Sequence, residues 1–508
     1  MRNKHNWQFV SNTIATMVNL LIQFGLNFFL TSYLISSVGS TAYGFFTMAN
    51  TVVNYALIIT TALNSMAARF IGIGVHNNDM EKARKFYSSV FAGDFAFSLI
   101  VLLPSSLAIL NLENLINIPI ELVRDVKVLF FIVFLNMCCN IVFSVFGCVY
   151  TIKNRLDISS LLQMTSNIVK SILLVILYAK FQPSIVFLGI ATLVATMIVA
   201  MGNVHFTRKL LPDLYFDIKV AKLSSMLEIM ASGIWNSINQ LSITLLNGLD
   251  LVIANLMVSA EAMGYLSVAN TLPGVISTFI SALSNMFTPN FLKHYSHGDY
   301  EQLYGEVKNS IRFMTVISCM PISFLIAFGI PFFRLWTPNT DIRTVYVLSI
   351  LVLLPQLTGG SINSMNYLYT IANKVKWQAV VLFIAGVTNV VAVFILLKYT
   401  EMGVYAIAGV SAIIGLTRNF LFNAPYAAYC IHKPKYIFWL DMIKACLCLA
   451  FCIIVGLTFN YFIVLNTWFK LIFVGGFSTL LSGMVVTFVV LGKGQRARLI
   501  STIVNRRK

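Results

Sequence analysis

Two cations stand inside long apolar runs of this chain, Lys170 in SNIVKSILLV and Arg418 in IIGLTRNFLF. A charge at the centre of a hydrocarbon layer costs about 2.5–3.5 kcal/mol on insertion scales unless it is solvated or paired. Positive charge in a low dielectric is suited to holding a diphosphate. The alternative is snorkelling, or pairing with a buried acid such as Asp94. Asp250 and Asp94 are the gating or ion-coupling candidates; Asp250, towards the outer end of its run, could bind a cation or proton, cap a packing network, or gate, and a structural or gating role is favoured. Asp441 and Lys444 are three apart and read as a local ion pair.

Neutral polar side chains are more numerous and are ordered. Asn12, Thr16, Asn19, Gln23 and Asn27 recur at steps of four, three, four and four, one face of a helix. Asn50, Asn54, Thr61 and Ser65 follow. Further on come Ser232, Asn236, Asn239, Gln240, Asn247 and Asp250, then Asn270, Ser277, Ser281, Ser284 and Asn285. Such stripes either glue helices together or line a hydrated cavity. Four of them at equivalent places favour one central cavity, with Asn19, Gln23, Asn54, Asn236, Asn239, Gln240, Lys170 and Arg418 as its substrate contacts.

Enzyme chemistry has no residues to carry it. No Gly-x4-Gly-Lys-Ser/Thr phosphate loop occurs. All six histidines lie in or beside predicted inner loops. The eight cysteines sit in or at the ends of apolar runs without a Cys-x-x-Cys pair, so they read as packing residues. Neither a metal nor a cofactor is called for; a proton or a sodium gradient is the candidate driving force.

The elements that must position these groups are membrane helices. Hydrophobic residues make up 58% of the 508 and charged residues 10%, where a soluble domain carries about 25% charged. About fourteen spans are expected, near 10–36, 41–72, 86–110, 126–151, 157–180, 184–206, 225–257, 262–292, 308–331, 343–371, 375–397, 403–428, 437–463 and 467–491. The net charge of +17 invites a nucleic-acid reading. Mapping the charges removes it: 25 basic residues fall in one set of alternating segments and 7 in the other. That asymmetry puts both termini in the cytoplasm. No cleavable signal peptide is expected.

The chain also repeats itself. VGSTAYGFFTMANTV at 38–52 and VSAEAMGYLSVANTL at 258–272 share six of fifteen residues at a shift of 220. Tyr150–Arg155 answers Tyr369–Lys374 at 219. The expected organisation is an N-lobe of six helices over 1–206, a cytoplasmic connector over 207–223, a C-lobe of six helices over 224–428, two further helices over 429–492, and a basic cytoplasmic tail over 493–508. The copies keep one orientation, as parallel repeats about an axis along the membrane normal. Amphipathic and basic, the tail either rests on anionic lipid or is disordered.

Two six-helix lobes, Gly39-Ser-Thr-Ala-Tyr-Gly44, and Asp250-Leu-Val-Ile-Ala followed by Ala262-Met-Gly-Tyr265 resemble the MOP flippase superfamily. The extra helix pair resembles its polysaccharide-transport branch, the Wzx-type O-antigen or capsule-repeat flippases. The resemblance implies an all-α polytopic protein of the bacterial plasma membrane. It implies alternating-access transfer of undecaprenyl-diphosphate-linked oligosaccharide for O-antigen, capsule or exopolysaccharide assembly, with no catalysis. Its implied partners are that lipid, anionic membrane lipids and other glycan-assembly membrane proteins, with a monomer as the working unit. The alternatives are an ion-coupled multidrug exporter of the MATE type and a lipid II flippase. The first lacks the last two helices, and the second carries arginines on its first helix where this chain has none. A membrane glycosyl polymerase would need an acidic or histidine cluster in a large outer loop.

Overall fold

A computed structural model describes residues 2–372 and 374–490 of the protein. The basic tail expected over 493–508 lies outside the described residues. All regular structure among the described residues is helical. In chain order the long helices are α1 Arg2–His76, α2 Met80–Leu110, α3 Ile120–Ile152, α4 Leu156–Lys180, α5 Val186–Leu210, α6 Leu223–Met257, α7 Ala260–Ser296 and α8 Tyr300–Trp336. There follow α9, the bent pair Ile342–Leu353 plus Gln356–Ile371, then α10 Val375–Tyr399, α11 Val404–Cys430, α12 Trp439–Phe462 and α13 Trp468–Val490. Among the described residues twelve helices are long and apolar enough to cross a membrane, or thirteen with the bent pair taken as one span. The protein is thus a polytopic membrane protein; the observed helices overlie the expected spans, but the first two expected spans form one run, so the count is twelve or thirteen where about fourteen were expected.

Local sequence explains the breaks. Gly39 has φ 84° and ψ 161°, a non-helical conformation open to glycine, and it interrupts α1. The two halves of α9 meet at Pro355 with a bend of 40°. Proline has no N–H to continue the ladder there. α6 breaks at Gly248–Leu249, and Asp250 opens its second segment, where a carboxylate complements the helix dipole.

Several turns recur at the repeat spacing. Asp79 caps α2 by accepting from Lys82 N at 3.0 Å, and Asp299 caps α8 by accepting from Gln302 N at 3.1 Å. The residue before each cap has positive φ, Asn78 at 57° and Gly298 at 69°. A short 3-10 turn precedes the last helical segment at Val145–Gly147 and again at Asn363–Met365. Arg155 N donates to Tyr150 O at 2.7 Å, and Lys374 N donates to Tyr369 O at 2.8 Å.

By packing, the chain divides into two compact units, Met1–Ser267 and Val268–Lys508. The division falls inside the second sequence copy. In the first unit α1 packs on α2, α4 and α6, and α5 on α3 and α4. A buried core forms from Ile71, Phe86, Tyr87, Val90, Val149, Tyr150 and Ile229. In the second unit α8 packs on α12 and α13. Small residues allow the close approach: a Cβ on Gly456 would stand 2.6 Å from Ala327 Cβ, and one on Gly475 2.5 Å from a Phe324 ring carbon. Asn460 Nδ2 donates to Ala327 O at 2.9 Å. Asp441 pairs with Lys308 of α8 at 3.9 Å, so the Asp441–Lys444 pair read from the three-residue spacing is replaced by an interhelical one.

Candidate functional site

The stripe on α1 meets a second polar stripe on α4. Asn12 Nδ2 donates to Asn154 Oδ1 at 3.0 Å, Thr16 and Ser160 share a hydroxyl bond at 3.2 Å, and Asn19 Nδ2 donates to Gln163 Oε1 at 3.2 Å. Thr16–Ser160 and Asn19–Gln163 keep one offset, so the helices run parallel in fixed register. Continued in that register, Gln23 stands level with Asn167, and Asn27 with Ser171, the neighbour of Lys170. Ser160, Gln163, Asn167 and Lys170 share one face of α4, at steps of three, four and three.

The ladder of bonds stops at Asn19. That residue is buried, 5% exposed, and acts as an interhelical bond. Beyond it, Gln23 and Lys170 are half-buried and Asn27 is exposed. Lys170 has no carboxylate partner among the described residues, and Asp94 pairs elsewhere. The first unit therefore has a polar strip that is bonded from helix to helix as far as Asn19, whose own Oδ1 is buried without a partner among the described residues, and that carries one positive charge further along.

The stripe on α6 behaves differently. Asn236 is exposed and donates to Ser65 Oγ at 3.0 Å, and Ser237 Oγ donates to Ile58 O at 2.6 Å. Gly233 lies so close to α1 that a Cβ there would stand 1.9 Å from Ala62 O. Asn239 and Gln240 are half-buried, and Asn54 is exposed. Asp250 is buried, 8% exposed, within electrostatic reach of Tyr55. Asp94 is wholly buried, accepts from Asn64 Nδ2 at 3.0 Å and is hydrogen-bonded to Ser144 Oγ at 3.2 Å.

Arg418 belongs to the second unit. It immediately precedes a π-helical turn, Asn419–Asn423, in α11. Such wide turns concentrate at functional sites. The turn is held from outside: Asn419 Nδ2 donates to Pro355 O at 2.9 Å and to Thr358 Oγ1 at 3.1 Å. Asn423 Nδ2 donates to Asn419 Oδ1 at 2.8 Å, and Tyr369 OH to Asn423 O at 2.7 Å. Amid this satisfied network, Arg418 Nε and Nη1 are buried with no hydrogen-bond acceptor among the described residues. Buried guanidinium donors without an acceptor are rare and need an explanation. A bidentate oxyanion would supply one.

The α4 stripe and the π-helical turn were not singled out from the sequence. Helical spacing signals the first; the second depends on hydrogen bonds to a different helix.

Residues 9–293 match the model of a family described as polysaccharide biosynthesis protein. The chain is 26% identical over 476 residues to the uncharacterized membrane protein EpsK of Bacillus subtilis (strain 168), covering 92% of each. In fold it is similar to the lipid II flippase MurJ in an inward closed conformation, with a TM-score of 0.67 and 15% identity over 95% of this chain and 98% of that one. It is also similar to an inward-facing MATE multidrug-resistance transporter of the MOP superfamily, with a TM-score of 0.65 and 13% identity over 84% and 98%. The fold is thus one shared with membrane transport proteins. The chain belongs to the Wzx-like polysaccharide biosynthesis protein family and has the MOP-superfamily fold.

Proposed function

We propose that the protein is a flippase for undecaprenyl-diphosphate-linked oligosaccharide repeat units, working by alternating access in the bacterial plasma membrane with both termini in the cytoplasm. The observation that carries this reading is Arg418, midway along α11, whose buried Nε and Nη1 lack an acceptor among the described residues. In the first unit, Lys170 is half-buried midway along α4 with no carboxylate partner among the described residues. A cation with unused donors suits a phosphate of the head group and not a cationic drug. Gln23, Asn27, Asn236, Asn239 and Gln240 offer hydrogen bonds to sugar hydroxyls.

The architecture supports the same reading. Counting the α1 run as two spans, divided at Gly39, raises the number to fourteen. The run Ala15–His76 is 62 residues long, and a bilayer's hydrocarbon core takes about 20 per crossing. The MATE likeness covers 84% of this chain and the lipid II flippase likeness 95%, a difference of about the length of α12 and α13. Repeat-equivalent residues also touch one another: Thr47 Oγ1 and Ser267 Oγ are hydrogen-bonded, and a Cβ on Gly44 would stand 2.9 Å from Gly264 Cα. Contact between equivalent residues is what a two-fold axis along the membrane normal produces.

Expression in a strain deleted for its own oligosaccharide flippase tests the function. Restored surface glycan is the expected outcome. A normally expressed protein that restores none across several glycan types, and exports a cationic dye instead, would favour the drug-exporter reading.

A further inference from the structure

We propose that Asp94 is a proton-binding site, and that in this structure its carboxyl is protonated as the third donor of a closed ring with Asn64 and Ser144. Three helices build the ring: α1 gives Asn64, α2 Asp94 and α3 Ser144. Its links are Asn64 Nδ2 to Asp94 Oδ1 at 3.0 Å, Ser144 Oγ to Asn64 Oδ1 at 2.9 Å, and Ser144 Oγ to Asp94 Oδ2 at 3.2 Å. Three hydrogen bonds need three hydrogens. Ser144 has one. Asn64 turns its nitrogen to one neighbour and its oxygen to the other, so it supplies one whichever way the amide is oriented. The third must come from Asp94. With Asp94 ionised, one link would become two oxygens facing each other through lone pairs.

The surroundings agree. Asp94 is 0% exposed, and a buried carboxylate facing only neutral groups pays a large desolvation cost. On the elements packed against α2, the ionisable side chains nearest along the chain to the ring are Tyr55 and Arg69 of α1, Cys138, Cys139 and Cys148 of α3, and Glu228 of α6. None bonds to Asp94; Cys138 Sγ lies against Ser98 O at 3.5 Å instead. Ser144 is exposed, so the ring meets its surroundings there. A rotation of that one hydroxyl breaks two links. The proton then passes to an entering water, and the carboxylate stays behind. Because the links join three helices, relative movement of those helices and protonation of Asp94 are coupled equilibria. The site does not depend on which head group is carried.

Infrared difference spectra of the purified full chain in nanodiscs, recorded against pH without substrate, test this. The wild type should show the C=O band of a buried carboxylic acid at neutral pH, and Asp94→Asn should lose it. The variant should fold and melt within a few degrees of the wild type, because its amide closes the same ring: Oδ1 accepts from Asn64 and Nδ2 donates to Ser144. Asp94→Leu cannot close it and should melt lower. An unchanged band in Asp94→Asn, or a wild type with no such band, would overturn the proposal. So would an Asp94→Asn chain that fails to fold. A band that responds to sodium at constant pH would replace the proton with a metal cation. The readout involves no transport, so it fails or succeeds separately from the flippase reading.

Discussion

Arg418 and Lys170 differ in how they are held. Arg418 is pinned beside a bonded π-helical turn with two donors unused, while Lys170 ends a stripe whose bonds to α1 reach only as far as Asn19. A hydrogen bond to a charged group contributes about 1.5–3 kcal/mol. The double change Lys170→Gln with Arg418→Gln should therefore lower the rate of glycan display by about ten-fold or more. Protein level should stay normal, since neither cation has a carboxylate partner to orphan. Lys170→Arg should be mild if charge alone matters. Full display by the double variant would make both residues structural. The stripes were legible in the sequence because helical spacing is local: Asn12 to Asn27 repeats every three or four positions. The Asn64–Asp94–Ser144 ring was not legible, since its members lie on three helices and share no spacing.

At the scale of elements, equivalent turns and contacts carry the argument. The bond between Thr47 and Ser267 joins α1, beyond its break at Gly39, to the start of α7. Alternating access needs such a contact to open. In a background without other cysteines, Thr47→Cys with Ser267→Cys should cross-link on oxidation and stop glycan display, and a reductant should restore it. Undiminished display with complete cross-linking would show that this contact stays shut during transport. The α9 cap gives a second test. Asp341 accepts from Thr344 Oγ1 at 2.7 Å, Arg343 N at 3.1 Å and Thr344 N at 3.3 Å. The Thr344 hydroxyl, then the backbone amides, hold its carboxyl below the usual carboxylate range. Its stabilisation is then full above the unfolded carboxyl's value near pH 4 and is lost as pH falls through the lowered folded value. Asp341→Ala should flatten that acid limb of the melting profile and leave the neutral end lower by about 1 kcal/mol. The 220-residue shift was visible in the sequence at Gly44 and Gly264. The shared caps at Asp79 and Asp299 were not singled out, because Asn78 and Gly298 differ in type and agree only in their backbone.

For the whole molecule, the charge asymmetry predicts the topology. With cysteines placed one at a time in a cysteine-free chain, an impermeant reagent outside intact cells should label position 341 and spare positions 79 and 432. Labelling at 79 would reverse the orientation. Span positions were readable from hydropathy, whereas packing was not: α6 joins the first compact unit although the repeat begins a new copy there. Close glycine contacts such as Gly233 on Ala62 decide that, and a sequence read alone does not reveal them. The central claim is that this chain moves a lipid-linked oligosaccharide across a bilayer. The most direct test is purified protein in liposomes loaded with undecaprenyl-diphosphate oligosaccharide, with the head group followed by an impermeant glycosidase. The account predicts that protein makes the inner-leaflet pool accessible, and that the double Gln variant does so about ten-fold more slowly or worse. Correctly folded wild-type protein that leaves that pool protected, under both proton and sodium gradients, would contradict it.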